Sequence, residues 1–543
     1  MNTQVEYKFF INGTTWVPDP NNPTTGTDMN SVLAPIDCDP ATKICGTSPV
    51  LGYDWRDAVM YFVFVDRFKD GDPTNNAPIS GVETPANYQG GDYQGVIDKL
   101  NDGYFSDLGV NTLWITVPLD NTEQTGLGIS ENGTPRQYSA YHGYWVSKND
   151  QVEEHFGTMD KLKELVSTAH SKGIKILIDY PMNHVHKSAP VYTQHPEWFW
   201  PLDYNGGKCT CGGSAVCSYD DPNTTTRCWF TDYLPDFNYT IQEARDYTTD
   251  NAVWWLQQIG ADGYRLDAIK HVEKSWVVDM RAKAKAQLES VTQQTVYMVG
   301  ETFDEGNPGK LREYVSSTML HGQFDFPQRR VIEDKILRRT GSMVDLDNFL
   351  NVNDGYYGPN AIMSTFMGNH DISRIIHKAE DNPWEPNDWT DLPSIPTSAN
   401  PFQRVAVGFT LLFTTKGIPL VYYGDEVGMP GGRDPDNRRP MQWTNYTNNQ
   451  SALKAHIAKL GAIRAAHPAL RKGTRTKITA TQDTYLYKME LTDDLVVVAL
   501  NRADSGNTIE GLPAGNWKDL LTDAPVSGTI SLPARSSMVL VKQ

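Results

Sequence analysis

Arg265 and Asp267 stand two residues apart in Gly263-Tyr-Arg-Leu-Asp-Ala-Ile-Lys-His271. The stretch reads as a short apolar strand, and residues two apart on a strand share a face. A guanidinium beside a carboxylate favours its charged form. The pair therefore predicts an ionised Asp267 with a lowered pKa, suited to a nucleophile. Glu301 closes the apolar run Tyr297-Met-Val-Gly300, and Asp371 closes Gly368-Asn-His370. Three acids on three strand ends point to one site. Cleavage of a glycosidic bond needs two carboxyl groups, one as acid and one as nucleophile or base. A single acid after a strand is usually a loop cap; a set that also includes Asp179 is hard to explain that way.

Such acids need strands to carry them. From Asp54 onward, apolar runs alternate with helical stretches, the pattern of repeated β–α units. The spacing predicts eight strands, at 59–65, 112–117, 175–179, 263–267, 296–300, 323–326, 362–367 and 419–422. Helical segments fall between them, as at 159–171, 242–259 and 402–415. Eight units close a (β/α)8 TIM barrel, the core of an α/β domain over residues 51–467, with its site at the C-terminal strand ends. The link from Asn183 to about Asp236 is too long for an ordinary loop, so residues 185–237 read as an inserted subdomain after strand 3. After Pro468 the helical pattern stops. Strands at 484–491, 494–501 and 537–542 predict a C-terminal antiparallel β-sandwich over 468–543. Residues 1–50 hold a hairpin signal turning at Asn12-Gly13, followed by the irregular Val17-Pro-Asp-Pro-Asn-Asn-Pro23.

A formal charge of −18 argues against a nucleic-acid or anionic-membrane surface and suits a neutral polymer. No apolar run is long enough to span a membrane. The first residues lack the basic-then-apolar pattern of a signal peptide. The six cysteines fall into two local groups, Cys38 and Cys45, then Cys209, Cys211, Cys217 and Cys228. Even grouping points to disulfides and an oxidising compartment, with three pairings open for the second group. A four-cysteine zinc site is the rival, and the spacing lacks the paired Cys-x-x-Cys ligands it would use.

The segments Asp179-Tyr-Pro-Met-Asn183-His184, Gly263–His271, Glu301 and Asn369-His370-Asp371 appear in order and at fitting spacing. Together they resemble the four signature segments of the α-amylase family of glycoside hydrolases, over roughly residues 51–543. The resemblance implies Asp267 as nucleophile, Glu301 as general acid and base, and Asp371 as stabiliser of the transition state. It implies substrate contacts from Tyr144, His184, Arg265, Lys270, His271, His370 and Arg374. The implied metal is calcium, held in one site by Asn183, Asp236 and the His271 carbonyl. A second calcium loop resembles that of cyclodextrin-forming relatives and would use Asp70, Asp72, Asn75, Asn76, Gly90 and Asp92. Residues 1–50 resemble the end of a β-sandwich carbohydrate-binding module with its linker.

Specificity signals are mixed. Leu234-Pro-Asp-Phe237 is closest to the α-amylase form, whereas Tyr422–Met441 resembles the neopullulanase and oligo-1,6-glucosidase side. The expectation is a secreted, monomeric α-amylase of an intermediate subgroup that acts on starch, maltooligosaccharides and related α-glucans. The alternative is a neopullulanase-like, cyclomaltodextrinase-like or maltogenic hydrolase with transglycosylation. A non-catalytic glucan-binding protein on a dead barrel is the reading from another class, and the complete set of three acids speaks against it.

Overall fold

In a computed structural model, the described residues are 52–543 apart from Asp391, together with 5–11, 15–17, 31–33, 38–39 and 44–45. The chain divides into two compact units, 1–50 and 51–543. In the first, Phe9–Ile11 pairs antiparallel with Thr15–Val17, as the hairpin signal predicts; the Asn12-Gly13 turn lies outside the described residues. The backbones of Cys38 and Cys45 face each other in a second antiparallel pair. Their side chains, and with them the expected disulfide, also lie outside the described residues.

The second unit is built on eight parallel strands: β1 (Met60–Val63), β2 (Thr112–Ile115), β3 (Lys175–Tyr180), β4 (Gly263–Leu266), β5 (Tyr297–Gly300), β6 (Gly322–Gln323), β7 (Ser364–Thr365) and β8 (Ile418–Tyr422). They pair in chain order, with β8 against β1, and a bridge between Phe324 and Ser364 joins β6 to β7 and closes the barrel. Parallel strands covered on both faces must be apolar throughout, and Met60-Tyr-Phe-Val63 and Thr112-Leu-Trp-Ile115 are wholly buried. β6 and β7 are two residues each, shorter than the predicted 323–326 and 362–367.

The covering helices carry the expected end signals. Thr158 caps Met159–Ser171 by accepting from the Lys161 amide, and Gly260, at φ +73°, ends Gln242–Ile259. Gly263 opens β4 where a Cβ would lie 2.1 Å from the Tyr297 carbonyl oxygen, so β4 and β5 approach as glycine alone allows.

The inserted subdomain carries a short helix, Pro190–Gln194, and a hairpin of Asp203–Tyr204 with Gly207–Lys208. Its cysteines pair as Cys209–Cys217 and Cys211–Cys228, which excludes zinc at these thiols. The C-terminal domain has a six-stranded antiparallel sheet: Thr474–Ala480, Thr484–Leu491, Asp494–Asn501, Ser536–Lys542, Trp517–Asp519 and Pro525–Val526 in spatial order. A second pair, Asn507–Ile509 with Ile530–Leu532, packs Ile509, Ile530 and Leu532 onto Leu486, Val497, Trp517 and Leu540, giving the sandwich its own core. Among the described residues, no helix is long and apolar enough to cross a membrane.

Candidate active site

β4 turns Tyr264 outward, where its hydroxyl donates to the Ala252 carbonyl of the covering helix at 2.7 Å. Arg265 therefore points into the barrel, 1 % exposed. Its Nη1 donates to Asp179 Oδ1 at 2.8 Å and to Asp267 Oδ1 at 2.7 Å. Its Nη2 lies 2.8 Å from Glu301 Oε2. One guanidinium thus holds acids from the ends of β3, β4 and β5. Asp179 stands opposite Arg265 in the β3–β4 register. Its other oxygen accepts from the Tyr144 hydroxyl at 2.8 Å and from Trp114 Nε1 at 3.2 Å.

Beyond Asp267 the chain turns sharply. Ala268 has φ +45°, the left-handed region that a residue with a Cβ seldom enters. The turn is held from β5: the Ile269 amide donates to the Glu301 carbonyl at 2.8 Å, and the Ala268 amide reaches Glu301 Oε2 at 3.4 Å. Asp267 and Glu301 are fixed to one another by backbone as well as by Arg265.

Asp371 approaches from β7. Its loop is fastened by Asn437 Nδ2, which donates to the carbonyls of His370 at 2.7 Å and Ile372 at 2.9 Å. Arg438 adds a bond from Nε to the same His370 carbonyl at 2.9 Å, and its Nη2 lies 3.4 Å from Asp371 Oδ1. Arg438 Nη1 also lies 3.1 Å from Asp434 Oδ1, so the two guanidiniums, Arg265 and Arg438, serve five carboxyls between them.

The expectation that Arg265 lowers the Asp267 pKa is overturned. Burial pushes Asp267 up to about 7, against the pull of Arg265, and Glu301 and Asp179 push the same way. The reason is shared charge: Arg265 is divided among three acids in a place nearly without water. Asp179 is raised too, first by burial. Asp371 is raised by its place deep in the cleft and then by Glu301, although 32 % of its side-chain surface stays open. A crowded anionic site of this kind favours a positive charge that develops in a bound molecule.

The other anticipated residues divide into those that face the acids and those that support them. Tyr144 sits among them, its hydroxyl 3.0 Å from His370 Nε2. Burial, then Arg438 and Arg265, hold His370 far below the usual histidine range, so it is neutral. His184 has both ring nitrogens engaged: Nε2 donates to the Tyr144 carbonyl at 2.9 Å and Nδ1 meets Asn183 Nδ2 at 3.3 Å. It positions Tyr144 and has no free donor for a sugar hydroxyl. Lys270 Nζ donates to the Phe303 carbonyl at 3.2 Å, and His271 Nδ1 to the Thr225 carbonyl at 2.8 Å.

Arg374 does not reach the cleft. It is 1 % exposed, packed on Tyr422 and Tyr423, and bound to Asp425 at 3.1 Å and the Asn437 carbonyl at 2.9 Å. It braces the loop that presents Asn437 and Arg438. The substrate contact expected of Arg374 is not seen, and the arginine beside Asp371 is Arg438. Its only signal in the sequence is its position in the Arg-Arg-Pro stretch after β8.

Two places could hold a hard cation. Among the described residues, Asn183 Oδ1 is buried with no hydrogen-bond partner, next to the buried Asp236, whose carboxylate hydrogen-bonds there only to Asn183 Nδ2, at 3.3 Å. Burial, then Glu273, push Asp236 well above the usual range. An orphaned amide oxygen beside an uncompensated carboxylate fits a bound divalent cation. In the other loop, Asn75 Oδ1 is likewise buried and unpartnered, lining a cavity of about 190 Å³ with Asp66, Asn76 and Gly90. Asn76 Nδ2 donates to Asp70 at 2.7 Å. Two of the anticipated ligands are committed elsewhere. Asp92 caps Tyr93–Asn101, accepting from the amides of Gly71, Asp72 and Gly95, and Asp72 accepts from Thr74.

Residues 62–473 match the family model of the alpha amylase catalytic domain. A cyclomaltodextrin glucanotransferase of Niallia circulans is 31 % identical over 489 residues, covering 85 % of this chain and 62 % of that protein. One of Klebsiella oxytoca is 28 % identical over 542 residues, covering 90 % of this chain and 78 % of that one. The chain spans 65 % of the length of the relative from Bacillus sp. (strain 1-1). Among solved structures, an α-amylase of Anoxybacillus superposes with TM-score 0.75 at 30 % identity, covering 91 % of this chain and 99 % of that one. An α-amylase of Geobacillus thermoleovorans complexed with acarbose gives 0.74 at 28 %, with 90 % and 99 % covered. With the barrel, the inserted subdomain and the acids at the strand ends, the match over most of the catalytic domain makes this chain a member of the α-amylase family of glycoside hydrolases and transferases.

Proposed function

We propose that this chain cleaves internal α-1,4-glucosidic bonds of starch and maltooligosaccharides with retention of configuration. The observation that carries the reading is the single guanidinium touching both Asp267 and Glu301. It supports a short carboxyl separation, about 5–5.5 Å in retaining enzymes, whereas inverting enzymes leave room for a water. The reactive form has Asp267 ionised and a proton on Glu301. Asp267 attacks the anomeric carbon, the bond to the leaving oxygen breaks, and Glu301 gives that oxygen its proton. Glu301 then takes a proton from water, whose oxygen displaces Asp267. Asp371 and Arg438 hold the sugar at its far side, and Tyr144 gives it an aromatic face.

Incubation with soluble starch tests the reading. Reducing ends should appear, and proton NMR of the first product should show the α-anomer. A β-anomer formed first, or no reducing sugar, overturns it. The relatives named cyclomaltodextrin glucanotransferases favour a second reading, in which a sugar hydroxyl replaces water in the second step. Transfer products from maltooligosaccharides would mark that case.

Calcium is the ion we assign to Asn183 and Asp236, with the His271 carbonyl completing the set. There it would neutralise Asp236 and tie the inserted subdomain to the barrel. A cation bound only by the folded chain stabilises it by mass action. Excess chelator should lower the melting temperature, and Asn183→Ala should shrink that shift. An unchanged melting curve in chelator removes calcium from the proposal.

A further inference from the structure

Glu273 stands at the N-cap of the helix Lys274–Lys283, two residues beyond His271. An oxygen-bearing side chain there usually accepts from the amides of its own first turn. Glu273 makes no such bond. It turns to the inserted subdomain instead, where Oε1 accepts from Trp200 Nε1 at 3.2 Å. Its other oxygen, Oε2, is buried and, among the described residues, without a hydrogen-bond partner. A buried carboxylate oxygen with no donor is costly unless a positive charge meets it.

Trp200 ties this acid to a second one. Its indole donates to Glu273, and its backbone amide donates to the Asp236 carbonyl at 2.9 Å. The Asp236 segment is fastened in turn to the end of β3. The Phe237 amide donates to the Asn183 carbonyl at 3.0 Å, and Asn183 Nδ2 lies 3.3 Å from Asp236 Oδ2. Glu273 is the charge that acts most on Asp236, and it repels. Among the described residues neither acid has an ion pair. Arg227, the cation that acts on Asp236, is spent on aromatic faces, 3.6 Å from the Tyr204 centroid and 4.9 Å from that of Trp200. Two carboxyls and two orphaned oxygens, Asn183 Oδ1 and Glu273 Oε2, are thus gathered around Trp200 with no counter-charge.

Charge count decides what fits there. With Asp236 alone, a divalent cation would leave one positive charge buried; with Glu273 the sum is zero. Calcium affinity rises with the number of charged oxygen ligands and with the rigidity of the site. We propose that Glu273 is the second carboxylate of the cation site at Asn183 and Asp236, with Oε2 facing the ion. This rests on the calcium assigned to that site and names the residue that sets its affinity. The ion would then join the end of β3, the inserted subdomain and the start of the helix that follows β4.

Calorimetric titration of calcium chloride into the chelator-treated chain tests the assignment. An Asn75→Ala background keeps the second candidate place from contributing. Glu273→Gln keeps the shape of the side chain and an oxygen for Trp200, and removes the charge. It should weaken calcium binding about tenfold or more. Melting adds a readout that a purely structural role would not give. In excess chelator Glu273→Gln should melt at or above the wild-type temperature, because one of two repelling acids is gone. In saturating calcium it should melt below wild type, because it gains less from the ion. Calcium affinity within about twofold of wild type overturns the role of Glu273, and so does a variant that melts well below wild type in chelator. A wild type that takes up no calcium in this background removes the calcium assignment and the role of Glu273 with it. A wild type that binds calcium, with Glu273→Gln binding equally well, removes Glu273 alone.

Discussion

Asp267→Asn and Glu301→Gln should each lower kcat on soluble starch by about a thousandfold or more, since neither residue's chemical step can be taken over by a neighbour. The two variants should separate on α-maltotriosyl fluoride. Fluoride leaves without a proton, so Glu301→Gln should retain far more activity there than on starch, while Asp267→Asn should be equally impaired on both. Stability should move the other way. Burial holds Asp267 at about 7, well above its value in an unfolded chain. A carboxyl raised on folding stabilises the fold at pH below its unfolded pKa, and that contribution is lost as pH rises through the folded value. Asparagine carries no charge to bury. At pH 8 the Asp267→Asn variant should therefore melt at or above the wild-type temperature while being nearly inactive. A variant that keeps activity, or that loses it by unfolding, refutes the assignment. Strain at the neighbouring Ala268, with φ +45°, fits the same pattern of stability given up at a reaction centre.

The acids were legible because strand periodicity is local: two residues apart on β4 means one face, whatever the rest of the chain does. The number of β–α units was legible for the same reason, and with it the convergence of Asp179, Asp267, Glu301 and Asp371. Less visible was whatever depends on counting charges in space. The sequence shows Arg265 beside Asp267; it does not show that the same guanidinium also serves Asp179 and Glu301, which reverses the expected direction of the Asp267 shift.

Loop arginines posed a similar difficulty. Arg374 stands three residues after Asp371 and Arg438 is 67 away, yet Arg438 reaches the acid and Arg374 turns under Tyr422 and Tyr423. Asp92 was expected as a metal ligand, and the amides of Gly71, Asp72 and Gly95 that donate to it make it a helix cap. β6 and β7 were placed but overextended: a two-residue strand has no period to measure. Among the cysteines of the inserted subdomain, pairing followed from the Cys209–Cys211 run beside Trp229, a long-range contact with no trace in spacing.

Arg265→Leu should be the most damaging single change to the fold of the site. The guanidinium is buried and touches three acids at 2.7–2.8 Å. Removing one partner of a buried ion pair costs about 3–5 kcal/mol, because the remaining charges are left without water or counter-ion. The loss should depend on pH in a definite direction. Without Arg265, burial and mutual repulsion would raise the Asp267 carboxyl further, so the folded variant would hold its protons to a higher pH. At pH 5 the orphaned acids can be neutral and the cost is partly relieved; at pH 8 they must either ionise in a dry site or keep protons that the unfolded chain has released. Urea unfolding should therefore show a larger loss of stability at pH 8 than at pH 5. In any residual activity, the acidic limb of the kcat/KM profile should move to higher pH, since Asp267 must be ionised to attack. Arg265→Lys keeps a charge but not the fork, and one ammonium cannot reach β3, β4 and β5 together. It should recover part of the stability and little of the rate. An equal loss at the two pH values would mean that Arg265 acts by filling space, and that the acids do not depend on its charge.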